Sequence, residues 1–241
     1  MWAIYKRELK SYFYSPLAYI MTGVYTFILS LYFSGHITAA AGPTQLLFGA
    51  IIYNLNIMLA FMMPILTMKV IADEKRNGTE VLLMTSPNSV PRIVFGKYLA
   101  AFTVFVAMAA ITAMYPIIIA IFGKLNVASM ITSYLGYILC GALFVAFGVF
   151  TSSLTESPIV SAVIGALSLF FIWIIDFFST ALRTWVPIVY DIAKWISFYS
   201  RFLFFVQGKI GLKDFVYFFS LTALFLALAM IRVEKKRWSR G

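Results

Sequence analysis

The sequence predicts an all-α integral membrane protein with six transmembrane helices. Three observations lead there. First, 62% of the 241 residues are hydrophobic and 12% charged, whereas soluble domains run at about half apolar and a quarter charged. Second, the apolar residues come in long charge-free stretches. No charged residue lies between Lys10 and Lys69, between Lys97 and Lys124, or between Lys124 and Glu156. Third, lysines and arginines flank these stretches instead of gathering on one polar face. A net charge of +10 therefore reads as the positive-inside pattern and not as a nucleic-acid footprint.

One span needs roughly 20 residues, so the stretch from Lys10 to Lys69 is two spans joined by a turn. His36 to Gln45, with Gly42-Pro43, supplies the turn. Span 1 is placed at about Leu17–Phe33 and span 2 at about Leu46–Val70. Span 3 is long, Ile93–Lys97 continuing through Tyr98–Gly123. Span 4 is about Ile131–Phe150, span 5 Ser157–Ile175 with Pro158 in its first turn, and span 6 Phe215–Ile231. Basic residues favour the side holding both termini by roughly two to one. That side is taken as cytosolic. Ala39-Ala40-Ala41 resembles a signal-peptide cleavage site, but the apolar run before it is longer and more aromatic than a signal core, so no cleavage is expected.

Residues 1–14 differ in kind from a span. At helical spacing Trp2, Tyr5, Leu9, Tyr12 and Phe13 share one face, and Lys6, Arg7 and Lys10 another. This predicts an interfacial helix with its aromatics in the acyl boundary, turned into span 1 by Ser15-Pro16. The competing reading is a span 1 that starts early. Residues 176–214 form the longest non-spanning piece. It carries Trp185, Val186, Ile188, Ile192, Trp195 and Phe202–Phe205, too apolar for a watery loop. Short helices dipping into the outer leaflet are expected, buried by protein where the backbone breaks, with Trp185, Tyr190, Trp195 and Tyr199 in the outer aromatic belt.

The lone Cys140 and lone His36 exclude an internal disulfide framework and a thiolate or histidine metal cluster. There is no G-x-x-x-x-G-K-S/T phosphate loop, so no ATP site is expected on this chain. Nucleophile constellations are missing too. Glu156 and Asp176 stand at opposite ends of span 5, so no mid-membrane carboxylate points to ion coupling. Thr22, Thr26, Ser30, Asn54, Asn56, Thr67, Thr103, Thr112 and Ser133 either line a path or hold helices together, the second being the commoner role.

Lys69 to Lys97 reads KVIADEKRNGTEVLLMTSPNSVPRIVFGK. Ile71–Arg76 extends span 2 into water. Gly78 has the left-handed freedom a helix C-terminal cap needs. Thr79 can cap a new short helix, with Glu80 at its positive end. Val81, Leu82, Leu83 and Met84 give that helix an apolar face, Ser86-Pro87 ends it, and Pro91 starts span 3. Apolar side chains held outside the bilayer either dock a partner or pack on the chain's own interfacial helix.

Residues 71–91, with their charged run, Gly-Thr-Glu core, paired leucines, Ser-Pro and the following Gly96-Lys97, resemble the cytosolic segment of ABC-2 type ABC transporter permeases. The tail, from SFYSRF through GKIGLKDFVYFFSLTALFLAL to EKKRW, is similar to the small gliding-motility and copper-reductase-maturation permeases. The chain lacks the large extracytoplasmic domain of bigger relatives. The resemblance implies a single transmembrane domain over 1–241 with an N-terminal elbow helix, a coupling helix between spans 2 and 3, and a re-entrant outer segment before the last span. It implies that Gly78, Thr79, Glu80, Val81, Leu82, Leu83 and Met84 dock a separate ATP-binding subunit. Asp73, Glu74, Lys75 and Arg76 match the family's charged run, and with Lys6, Arg7 and Lys10 they are expected to form an inner-boundary charge network.

The implied activity is that of a permease subunit of an ATP-driven exporter in a prokaryotic inner membrane, multi-pass, with both termini cytoplasmic. It would be no enzyme itself, and ATP and magnesium would bind the partner subunit. Its partners would be that ATPase, a second permease copy or homologue, and the lipid bilayer, with no nucleic acid. Two rival classes stand beside this reading: a non-transporting scaffold that transmits force, and a secondary transporter or channel. Substrate-dependent ATPase activity separates the first from the permease, and copurification of an ATPase separates the second.

Overall fold

The computed structural model describes residues 1–39, 47–79, 89–122, 127–177, 197–209 and 211–238, and no strand occurs among them. The helices are α1 Trp2–Tyr14, α2 Pro16–Ala39, α3 Leu47–Thr67, α4 Lys69–Arg76, α5 Val90–Thr112, α6 Met114–Phe122, α7 Val127–Leu154, α8 Pro158–Phe177, α9 Phe198–Val206 and α10 Leu212–Trp238. Five stretches among the described residues are helical, long and apolar enough to cross a membrane: Pro16–Gly35, Ile51–Arg76, Val90–Ile121, Val127–Leu154 and Leu212–Lys235. Pro158–Ile174 is a shorter apolar helix.

Helix boundaries depart from expectation where proline and hydroxyl chemistry intervene. The first long helix persists through Ala39, past His36, where the turn to Gln45 is expected to start. Its remainder lies outside the described residues. The third span is two helices with a break at Ala113. Pro116 has no N–H to donate to the Thr112 carbonyl. The Ala113 N–H bonds instead to the Ala110 carbonyl, 3.1 Å, a tighter turn that separates α5 from α6. Pro158 opens α8 as its position predicts.

α7 is the hub. It packs against α3, α4, α5, α8, α9 and α10, and almost every residue from Tyr137 to Ser153 is buried. Glycines make that close approach possible. A side chain at Gly141 would strike the Phe105 ring of α5, and one at Gly148 would strike Thr67 of α3. Small residues at such crossings let helix backbones approach, the main attraction available between helices in lipid. The span hydroxyls behave as packing elements. Thr22, Ser30, Thr67 and Ser133 each donate to a carbonyl one turn earlier. Ser30 also meets the Tyr115 hydroxyl at 2.7 Å, and Thr112 that of Tyr134 at 3.0 Å.

Within residues 176–214, α9 is a short helix set into the bundle. Ser197 caps it by accepting the Ser200 N–H at 3.0 Å, and Phe198, Phe202 and Phe205 are buried. Gly208, at φ +77, ends it by letting the Lys209 N–H reach the Phe204 carbonyl at 2.9 Å, as a glycine-terminated helix does. Arg201 pairs with Asp214 at 3.2 Å and lies 4.2 Å over the Tyr217 ring, tying α9 to the start of α10. Trp185, Tyr190 and Trp195 lie outside the described residues.

Candidate functional site

The site is the joint where α3 gives way to α4. Pro64 sits inside α3, and the Thr67 hydroxyl bonds back to the Met63 carbonyl at 2.8 Å. Met68 is a turn, and α4 starts at Lys69. The break comes two residues before the expected end of span 2. A helix interruption exposes carbonyls and amides that a buried setting penalises, and three neighbouring helices cover them here. Tyr12 of α1 donates its hydroxyl to the Leu66 carbonyl, 3.0 Å. Ser152 of α7 donates to the Met68 carbonyl at 3.0 Å and accepts the N–H groups of Ile71 and Ala72, each 3.0 Å. Lys97 of α5 donates to the Val70 carbonyl at 2.7 Å.

Ser152 therefore satisfies three backbone groups with one atom. Ser152→Ala would strand two buried donors and an acceptor. It is expected to lower stability by about 1–3 kcal/mol, read as a fall in the thermal midpoint of the purified protein. Ser152→Thr, which keeps the hydroxyl, should lie closer to the parent.

The same Lys97 ammonium anchors a charge cluster. Its side chain is 2% exposed, and it stands 3.1 Å from Glu8 Oε1 and 2.8 Å from Glu74 Oε1. Arg7 adds contacts of 2.7 Å to Glu8 and 3.1 Å to Glu74. Two cations and two carboxylates balance, which is how buried charge is tolerated. Burial pushes the Glu8 carboxyl up, but Lys97 and Arg7 outweigh it and hold it below the usual carboxylate range. Glu8 thus stays ionised at neutral pH. Gly96 lets α1 lie directly on α5: a side chain there would come within 3.3 Å of the Met1 carbonyl.

Of the expected charge network, only Arg7 and Glu74 meet. Lys6 lies 5.3 Å over the Trp2 ring, and Lys10 and Arg76 are exposed. Lys75 donates to the Ser153 carbonyl. Asp73 forms no ion pair among the described residues. Gly78 adopts φ +70 after α4, and Thr79 donates to the Glu74 carbonyl at 3.4 Å. Glu80, Val81, Leu82, Leu83 and Met84 lie outside the described residues. Glu8, Tyr12 and Ser152 were not anticipated. Glu8 had a signal, being the only carboxylate before Asp73 and one helical turn from Ile4 and Tyr12.

The amphipathic helix also divides differently from expectation. Trp2 and Phe13 are exposed. Tyr5, Leu9 and Tyr12 instead pack on protein, with the Tyr5 hydroxyl 3.1 Å from that of Thr103. Beside the cluster, α1, α4 and the start of α2 border a cleft of about 590 Å³. No group of three or more His, Cys, Asp or Glu suited to a metal ion occurs among the described residues.

Apolar helices of spanning length, packed around α7, define a multi-pass helical membrane protein. It belongs to the ABC-2 transporter family: the family model described as ABC-2 family transporter protein matches residues 35–231. That match takes in α3, α4 and the whole of 71–91. A search of curated proteins returned no match.

Proposed function

We infer that this chain is the membrane-spanning permease subunit of an ATP-driven ABC transporter, acting as an exporter with a separate ATP-binding subunit and a second permease copy or homologue. The family match over residues 35–231 is the observation that carries this reading. In it α8 is a sixth span, α1 is the elbow on the inner membrane face, and α9 belongs to an outer re-entrant segment. Both termini face the cytoplasm. Gly78 to Met84 dock the ATP-binding subunit, and ATP and magnesium sit on that partner.

The joint suits such a role. Movement imposed on the segment after Gly78 reaches α4 first. α4 is tied to α1 and α5 through Glu74 and Lys97, and to α7 through Ser152 and Lys75. A push on this segment therefore moves three helices together.

The orientation is testable by itself. With Cys140→Ala as background, a cysteine at position 80 should react with a membrane-impermeant maleimide only after the cytosolic face is opened. Labelling of position 80 from outside intact cells would invert the topology and remove the ATPase-facing segment from the cytosol.

A further inference from the structure

The cleft between α1, α4 and the start of α2 has a composition that the coupling role does not use. Its volume, about 590 Å³, lies within the range of small-ligand sites, roughly 300–1,000 Å³. Arg7, Glu8, Glu74 and Lys97 border it but neutralise one another. Lys69 and Asp73 border it too, and neither makes an ion pair among the described residues. They are four residues apart on α4, so their side chains leave the helix about 5–6 Å apart on one face. One positive and one negative group, neither of them neutralised by an ion pair among the described residues, are thus presented together on one face of α4 at the cleft, the charge complement of the phosphate and ammonium of a single ethanolamine headgroup. Ser11 and Ser15 add hydroxyls to the lining, and Leu17 and Tyr12 supply an apolar side. Next to Leu17, Tyr14, Tyr19 and Ile20 are exposed apolar surface on which acyl chains can lie.

We propose that this cleft binds one zwitterionic phospholipid with a primary ammonium headgroup, phosphatidylethanolamine, its phosphate on Lys69 and its ammonium on Asp73. The proposal rests on the inferred placement of α1 at the membrane face. Other ligand classes fit worse. A nucleotide or other polyanion would find no net positive charge, since Glu8, Asp73 and Glu74 match Arg7, Lys69 and Lys97 in number. A divalent cation would find Glu8 and Glu74 already held by Lys97. A choline headgroup has no N–H to give Asp73, and its trimethylammonium favours an aromatic cage. The aromatic ring lining this cleft belongs to Tyr12, whose hydroxyl is committed to Leu66.

The full-length protein, equilibrated with vesicles holding equal parts of phosphatidylethanolamine, phosphatidylglycerol and phosphatidylcholine of the same acyl chains, should retain phosphatidylethanolamine preferentially, one per chain by native mass spectrometry. Lys69→Gln together with Asp73→Asn should lower that retention at least tenfold without changing the thermal midpoint. If the pair perturbs folding, Lys69→Gln alone should still reduce retention. Equal retention of the choline or glycerol lipid, retention unchanged in the folded variants, or binding of inorganic phosphate with no lipid would each overturn the site. Copurification of an ATPase is read separately, so a protein that keeps its ATPase but shows no lipid preference refutes the lipid site alone. Outward-facing labelling at position 80 refutes the orientation instead.

Discussion

Lys97→Met is expected to destabilise the membrane domain by about 3–5 kcal/mol, the range for breaking a buried ion pair from one side. The ammonium it deletes is the group between Glu8 and Glu74, whose side chains are 15% and 18% exposed. Without it the two carboxylates face each other with only the exposed Arg7 to share. The Val70 carbonyl also loses its 2.7 Å donor. Because the penalty comes from uncompensated charge, adding Glu8→Gln and Glu74→Gln to Lys97→Met should restore a large part of the lost stability. Thermal unfolding of the three proteins in one detergent checks this. A single variant as stable as the parent would show that the cluster does not hold α1, α4 and α5 together.

The second large effect concerns binding. Leu82→Asp and Leu83→Asp should leave membrane insertion intact, since the coupling reading puts both leucines outside the bilayer. They should lower affinity for the ATP-binding subunit by roughly 100- to 1,000-fold. A carboxylate buried without a partner in a docking groove costs about 3–4 kcal/mol or more. Gly78→Val should weaken the same interaction by another route. Gly78 sits at φ +70, where a β-branched residue is strongly disfavoured, so the segment after α4 would leave in a different direction.

Much of the fold was legible because lipid imposes a simple rule. Charge-free runs of spanning length must be helices that satisfy their own backbone. Five of the six placed spans coincide with apolar helical stretches long enough to cross a membrane, and the fifth, Ser157–Ile175, falls on the shorter apolar helix Pro158–Ile174. The amphipathic start, Pro158 and Gly78 were readable from local stereochemistry alone. The joint at Met68 was not. It depends on Tyr12, Lys97 and Ser152, which are far apart in sequence and meet only through packing. Lys97 was read as part of a start of span 3, yet its ammonium is among the most buried charges of the protein. Arg92, five residues earlier and so about 140° away around α5, is exposed; spacing puts the two cations on different faces but does not show which face protein covers. The elbow was assigned a lipid-facing aromatic stripe because periodicity shows which residues share a face, not what covers it. Tyr5 and Tyr12 turned out to face protein partners.

The most direct test of the permease reading is capture of the tagged full-length chain from its native membrane in mild detergent, with identification of what accompanies it. An ABC-type ATP-binding subunit in near-stoichiometric amount, lost when Leu82 and Leu83 are changed to aspartate at matched membrane levels, is the predicted result. Capture without any ATPase, or an ATPase retained undiminished by both leucine variants, would contradict it.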